Sequence, residues 1–92
     1  MVIALLTLEC HLPMAQSLKD KRMVVRSVKD RLRKFNVAVA EVAHQDLWQR
    51  AGIAVVTVAG SETLAQQELE AVSNAIEAAE PGLVTRSEVE IL

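Results

Sequence analysis

Aromatic residues are almost absent from this sequence of 92 residues, which holds one phenylalanine, one tryptophan and no tyrosine. Proteins that bind single-stranded nucleic acid often stack successive bases on a platform of several aromatic rings. Phe35 and Trp48 alone argue against such a platform. The hydrophobic fraction is nevertheless 51%, and alanine and valine supply much of it. The sequence therefore predicts a folded core built from thin, closely packed layers.

Cysteine is equally scarce, because Cys10 is the only one and has no partner for a disulfide within the chain. No apolar run approaches the roughly 18 residues needed to span a bilayer. The start MVIALLTLECHL also lacks the basic leader of a signal peptide. We therefore expect a cytoplasmic protein without a membrane partner. Cys10 lies in an apolar stretch with no group that would stabilise a thiolate, so we interpret it as a buried residue.

Motifs of common catalytic and cofactor sites are missing. The sequence has no Gly-rich phosphate loop, no paired-cysteine motif and no Ser-His-Asp order. Cys10 and His11 point to opposite faces of one predicted strand, and His44 lies on a strand that is not its predicted neighbour. We therefore predict no catalytic residue, no metal site and no cofactor. These absences argue against an enzyme without excluding one.

Hydrophobic periodicity predicts four strands, at residues 2–12, 37–44, 52–60 and 83–92. One helix is predicted from the cap Ser17 to about Phe35, and a second from the cap Ser61 to a stop at residues 81–82. The order β-α-β-β-α-β favours an α+β fold, the ferredoxin-like split β-α-β sandwich. It has a four-stranded antiparallel sheet with two helices on one face. We predict a single domain over residues 1–92, with the first and third strands central.

Each predicted helix has an apolar side that should face the sheet. In the first helix this side comprises Leu18, Val24, Val25, Val28, Leu32 and Phe35. In the second it comprises Leu64, Ala65, Leu69, Val72, Ile76 and Ala79. Asn36 is expected to end the first helix in a left-handed conformation. The segment QDLWQRA is expected to form a turn or bulge in which Trp48 covers one edge of the core.

Charge is distributed very unevenly. The net charge is −2, yet segment 17–35 holds eight of the ten basic residues and only two acidic ones, so it carries +6 and the remainder −8. On the predicted helix, one exposed stripe contains Lys19, Arg22, Arg26, Lys29 and Arg33. Such a row suits the phosphates of a nucleic-acid backbone and needs no aromatic rings. The alternative is an ordinary solvated helix face, partly neutralised by Asp30 and the acidic second helix.

Lys21 is a separate case, because it falls within the apolar arc near the start of the first helix. Its stem is expected to follow the sheet edge while its ammonium reaches solvent. Alternatively, Lys19, Lys21 and Arg22 form an anion-binding pocket at the helix start, where backbone N–H groups favour negative charge. An acylphosphatase-like activity has no support, since the preceding loop LPMAQS holds neither arginine nor glycine.

The predicted sheet leaves one face without helices. Along the first strand this face begins with the apolar residues Ile3 and Leu5 and ends with the polar residues Glu9 and His11. An apolar patch rimmed by polar residues is typical of an interaction surface. We therefore expect a homodimer or a higher homo-oligomer.

Three stretches, HLPMAQSLKDKR, FNVAVAEV and QDLWQRA, resemble the YlxP-like family of small bacterial proteins, a domain of unknown function. The resemblance covers nearly the whole chain and implies the ferredoxin-like fold, but no established reaction. Genes of that family commonly lie beside genes for translation initiation and ribosome maturation, which favours RNA or the ribosome as a partner. Six of the matching positions have side-chain chemistry that folding does not fully need: Lys19, Lys21, Arg22, Glu41, Trp48 and Arg50. We treat the last three as a candidate functional surface.

Three functions remain open at this point. The first is a non-enzymatic RNA- or ribosome-associated module that contacts phosphates through the basic stripe. The second is a protein-interaction or assembly module. The third is an enzyme that acts on a small anion through Lys19, Lys21 and Arg22.

Overall fold

The computed structural model describes residues 1–92 and contains six elements in the predicted order. They are β1 Val2–His11, α1 Leu18–Arg31, β2 Ala38–Ala43, β3 Arg50–Ala59, α2 Glu62–Ala79 and β4 Val84–Ile91. All strand pairs are antiparallel, and the sheet order is β2-β3-β1-β4. The predicted ferredoxin-like sandwich is therefore confirmed, with β1 and β3 in the centre.

Alternation along the two central strands builds the core. In a strand, every second side chain points to the same face of the sheet. The inward residues of β1 and β3 are almost completely buried: Ala4, Leu6, Leu8, Cys10, Ala51, Ile53, Val55 and Thr57. Residues from both helices complete the same cluster: Val25, Val28, Leu32, Ala65, Leu69, Val72 and Ile76. The helices therefore share one face of the sheet and leave the other face open.

Both predicted helix caps are confirmed. The hydroxyl of Ser17 accepts a hydrogen bond from the backbone N–H of Asp20 at 3.0 Å, and the hydroxyl of Ser61 accepts one from Leu64 at 3.2 Å. The inner side of α2 differs from the prediction at Leu64, which lies in the first turn and whose side chain is 56% exposed. Neither helix is long and apolar enough to cross a membrane.

The end of α1 differs from the prediction. The helix stops at Arg31, with Leu32 as its cap, so the segment up to Phe35 is a turn. Asn36 is not left-handed. Its side-chain amide instead donates to the carbonyl of Val58 at 3.0 Å, and its own carbonyl accepts from the Thr57 hydroxyl at 2.7 Å. Asn36 therefore ties the turn to β3 rather than capping the helix.

A bulge between Glu41 and Ala43 bends the end of β2 and places Ala43 opposite Gly52 of β3. A Cβ atom added to Gly52 would lie 2.6 Å from the Cβ atom of Ala43, which is too close for two carbon atoms. His44 follows with φ of 61°, a left-handed conformation that side-chain-bearing residues seldom adopt. The bulge and the missing side chain of Gly52 together turn the chain sharply at His44.

We expect the Gly52→Ala substitution to lower the free energy of unfolding by about 1–3 kcal/mol, as overpacking does in other proteins. The added methyl group meets Ala43, whose short side chain cannot move aside. Gly60→Ala is the matched control, because nothing lies within 4 Å of a Cβ atom there. Urea unfolding of both variants measures the difference. Equal stabilities would contradict the close approach between Gly52 and Ala43.

Candidate functional site

Lys21, at the end of the first turn of α1, is 1% exposed and is among the largest fully buried side chains. Its Nζ atom donates to the backbone carbonyl of His44 at 2.8 Å, of Arg50 at 3.2 Å and of Gln45 at 3.3 Å. The carboxylate oxygen Oε2 of Glu41 lies 2.9 Å from the same nitrogen. Three carbonyls thus match the three donors of the ammonium, and Glu41 balances its charge.

This environment changes the interpretation of Lys21. The prediction that the ammonium group of Lys21 reaches solvent is wrong, because its hydrogen-bond partners enclose the nitrogen. With its three donors directed at carbonyls, Lys21 offers none to a bound anion. Only Lys19 and Arg22 of the three candidate anion-binding residues lie exposed at the helix start. The buried ammonium group of Lys21 requires a countercharge, so the first role of Glu41 is to neutralise Lys21.

The contacts of Lys21 join four segments: the start of α1, the end of β2, the turn at residues 45–49 and the start of β3. Gln49 adds the loop before α1, because its side-chain amide donates to the carbonyls of Pro13 and Ala15, both at 3.3 Å. The three stretches that carry the family resemblance therefore meet around one buried ammonium group.

A second polar cluster lies on the open face of the sheet and was missed from the sequence. Oε1 of Glu9 accepts a hydrogen bond from Nη2 of Arg50 at 2.6 Å and lies 2.8 Å from Nε2 of His44. The hydrogen bond from Arg50 is the main reason that the pKa of Glu9 lies below its usual value. Desolvation of the carboxylate raises this pKa, while electrostatic attraction to His44 and Arg50 lowers it further. His44 Nε2 also lies 3.2 Å from Arg50 Nη2.

One signal for this cluster was present in the sequence. Glu9 interrupts an otherwise largely apolar strand, and histidine is among the residues that tolerate a left-handed conformation. The contact itself depends on the bulge in β2, which carries His44 across Gly52 to β1. The residues in contact are 35 positions apart in the chain. Local patterns carry no information about such a pair.

The three residues of the candidate functional surface do not form one surface. Glu41 faces the buried Lys21 on the helix side of the sheet. Arg50 lies beside Glu9 on the open face, and its Nε and Nη1 atoms make no hydrogen bond within the chain. Trp48 is 52% exposed and does not belong to the core cluster, so the expectation that it covers a core edge is wrong.

Trp48 and Arg50 do share a cavity, of about 440 Å³, at the turn between β2 and β3. Its lining consists of His11, Leu47, Trp48, Gln49 and Arg50. The indole and the guanidinium group are both about half exposed there. An exposed aromatic ring beside a cation with free donors can hold a flat, negatively charged ligand.

The basic stripe lies on the solvent side of α1. Lys19, Arg22, Arg26 and Lys29 are all exposed, and none of them forms an ion pair in the structure. Arg33 differs because it follows the end of the helix and pairs with Asp30 at 3.1 Å in an exposed position. Four residues of the stripe, together with Arg31 elsewhere on α1, therefore carry charge without an ion-pair partner.

Cys10 is buried on the helix side of β1. Burial raises the pKa of its thiol to about 11, and the nearby charge of Glu9 adds to the effect. The thiol is therefore protonated at neutral pH, which suits a core residue. No group of three or more His, Cys, Asp or Glu side chains is arranged to hold a metal ion.

We expect Lys21→Met to lower the free energy of unfolding by about 3–5 kcal/mol, because it leaves Glu41 buried without a countercharge and three carbonyls without a donor. Lys21→Met combined with Glu41→Gln should lose less, since the orphaned charge is removed. Lys19→Met is the matched control on the exposed side of the same turn and should change stability little. Urea unfolding of the three variants measures these differences. Equal effects at both lysines would contradict the buried pair.

Comparisons with known proteins agree with the resemblance noted in the sequence. A family model described as "Protein of unknown function (DUF503)" matches residues 3–89. "Uncharacterized protein YlxP" of Bacillus subtilis (strain 168) is 38% identical over 65 residues, which are 70% of this chain and 71% of that protein. Neither description names a reaction, a ligand or a partner.

Proposed function

Because the chain belongs to the DUF503 family of proteins of unknown function, as its YlxP-like residues indicated, we propose a function from its own surfaces. The protein is a non-enzymatic module that binds the phosphate backbone of RNA through α1. The observation that carries this proposal is a row of four exposed, unpaired basic side chains along one side of α1: Lys19, Arg22, Arg26 and Lys29. Arg31 is also exposed and unpaired but lies off this row.

Helix geometry gives these cations a regular spacing. Their positions differ by three or four residues, so each helical turn of about 5.4 Å presents one of them. The row extends over about 15 Å, which is ten residues at about 1.5 Å each. Double-stranded RNA is recognised largely through its shape and its phosphates. A straight row of cations on a rigid helix fits that mode of recognition.

The carboxylates of α1 do not cancel this row. Asp20 accepts a hydrogen bond from the backbone N–H of Gln16 at 2.9 Å, and Asp30 pairs with Arg33. The remainder of the chain outside residues 17–35 carries −8. A polyanion is therefore attracted to α1 and repelled elsewhere, which orients the molecule on its ligand.

We expect Arg26→Glu to weaken RNA binding and to make it less sensitive to salt, with the slope of log K against log salt concentration falling by about 1 per lost phosphate contact. Arg31→Glu is the matched control, because it makes the same charge change at an exposed, unpaired position of α1 that lies off the row. Filter retention of structured RNA across a salt series measures both. Equal effects of the two variants would assign binding to net charge alone, and absence of binding at low salt would overturn the proposal.

A second proposal concerns the open face of the sheet, which we propose is covered by a second copy of the chain. Val58 is about half exposed there, beside the partly buried residues Ile3, Leu5 and Val56. Glu9 and Arg50 lie at the other end of the face, and charges of both signs follow the β4 edge: Arg86, Glu88 and Glu90. A surface with an apolar part and both charges can complement itself across a two-fold axis.

Light scattering tests this second proposal. We expect an oligomer at micromolar concentration that dissociates in the Val58→Lys variant, because a charge would then be buried in the contact. Leu64→Lys is the control, since Leu64 is similarly exposed but lies on α2. A strict monomer, or equal dissociation by both variants, would count against the open face as the contact.

A further inference from the structure

We infer that the cavity beside Trp48 binds one unpaired nucleotide of an RNA, with the base against the indole and its phosphate at Arg50. This inference rests on the proposed function, because it adds a base-binding site to an RNA whose backbone lies along α1. The composition argues against a platform of several aromatic rings, but one exposed ring suffices for one base.

Trp48 supplies the stacking surface. Its side chain is 52% exposed, although it is the only tryptophan and one of only two aromatic residues in the chain. Folding therefore leaves about half of the Trp48 surface exposed to solvent. Every base has a flat π-face, so an exposed indole can stack on an unpaired base without selecting its identity. The neighbouring Leu47, also partly exposed, extends the apolar floor of the cavity.

Arg50 supplies the contact to phosphate. Glu9 holds its Nη2 atom at 2.6 Å, which fixes the guanidinium group at the cavity wall. The Nε and Nη1 atoms remain without partners in the chain and can donate to a phosphate oxygen. His11 lies directly opposite Arg50 in the pairing of β1 with β3 and lines the same cavity. Its imidazole adds a further polar group beside the guanidinium.

Charge alone does not explain binding at this site. Glu9 offsets part of the charge of Arg50, and Asp46 is exposed in the same turn. Stacking on Trp48 must therefore supply most of the local affinity, while α1 supplies the long-range attraction. The two surfaces are neighbours, because Lys21, between Lys19 and Arg22 in α1, binds the carbonyls that flank the turn.

Hydrogen bonds hold the backbone around the cavity in the absence of a ligand. Lys21 fixes the carbonyls of His44, Gln45 and Arg50, and Gln49 is tied to the loop before α1. A site that is already ordered loses less conformational entropy on binding. With a volume of about 440 Å³ and only five lining residues, the cavity is a shallow depression that is open to solvent. Such a surface can receive one face of a single base without enclosing it.

Trp48 itself reports on the site, because all tryptophan fluorescence of the protein comes from this residue. The probes are a short single-stranded RNA and an abasic RNA of the same length and charge. We expect the first to quench the fluorescence and the second to leave it nearly unchanged. Trp48→Ala should weaken binding of the base-containing RNA about tenfold, whereas Trp48→Phe should retain most of it. Circular dichroism of both variants verifies that they are folded.

The outcomes separate this inference from the proposed function. If both RNAs bind equally, Trp48→Ala has no effect and Arg26→Glu still weakens binding, the nucleotide site is overturned and the role of α1 stands. If neither short RNA binds at low salt but structured RNA does, the nucleotide site is overturned and the role of α1 stands. If structured RNA fails to bind as well, both are overturned. If the fluorescence changes with protein concentration but not with RNA, a second copy of the chain covers Trp48, and the nucleotide site is again overturned.

Discussion

The structure depends above all on the enclosure of the Lys21 ammonium group. A buried charge is tolerated only when a countercharge and hydrogen-bond partners surround it. Glu41 provides the countercharge, and the carbonyls of His44, Gln45 and Arg50 provide the acceptors. These partners come from two strands and the turn between them. The first turn of α1, the end of β2 and the start of β3 are therefore held in one arrangement.

The backbone around Lys21 also determines what lies on the opposite face of the sheet. To direct its carbonyl at the ammonium, His44 adopts a left-handed conformation after the bulge in β2. Its ring then reaches Glu9, which in turn positions Arg50. Gly52 permits this path because it leaves room for Ala43. The Lys21–Glu41 pair and the cluster of Glu9, His44 and Arg50 therefore both depend on the backbone conformation at His44.

The roles that we propose for three surfaces of the protein follow from this arrangement. The exposed side of α1 carries charge that no other group in the chain neutralises, so it suits a polyanion. The turn beside Trp48 presents an aromatic ring and a cation on a fixed backbone, so it suits a base and its phosphate. The open face combines exposed apolar side chains with charges of both signs, so it suits a second copy. Each role uses side chains that the core leaves exposed.

The sequence by itself determined the element order, both helix caps, the two faces of β1 and the central position of β1 and β3, because periodicity and capping act over a few neighbouring residues. It did not determine the state of Lys21, since a lysine within an apolar arc has the same pattern whether it reaches solvent or is enclosed. Its acceptors lie 23 to 29 residues later in the chain. The contact of Glu9 with His44 and the exposure of Trp48 likewise depend on strand register and on one bulge. Only the tertiary structure brings such distant groups together, and those groups form the candidate site.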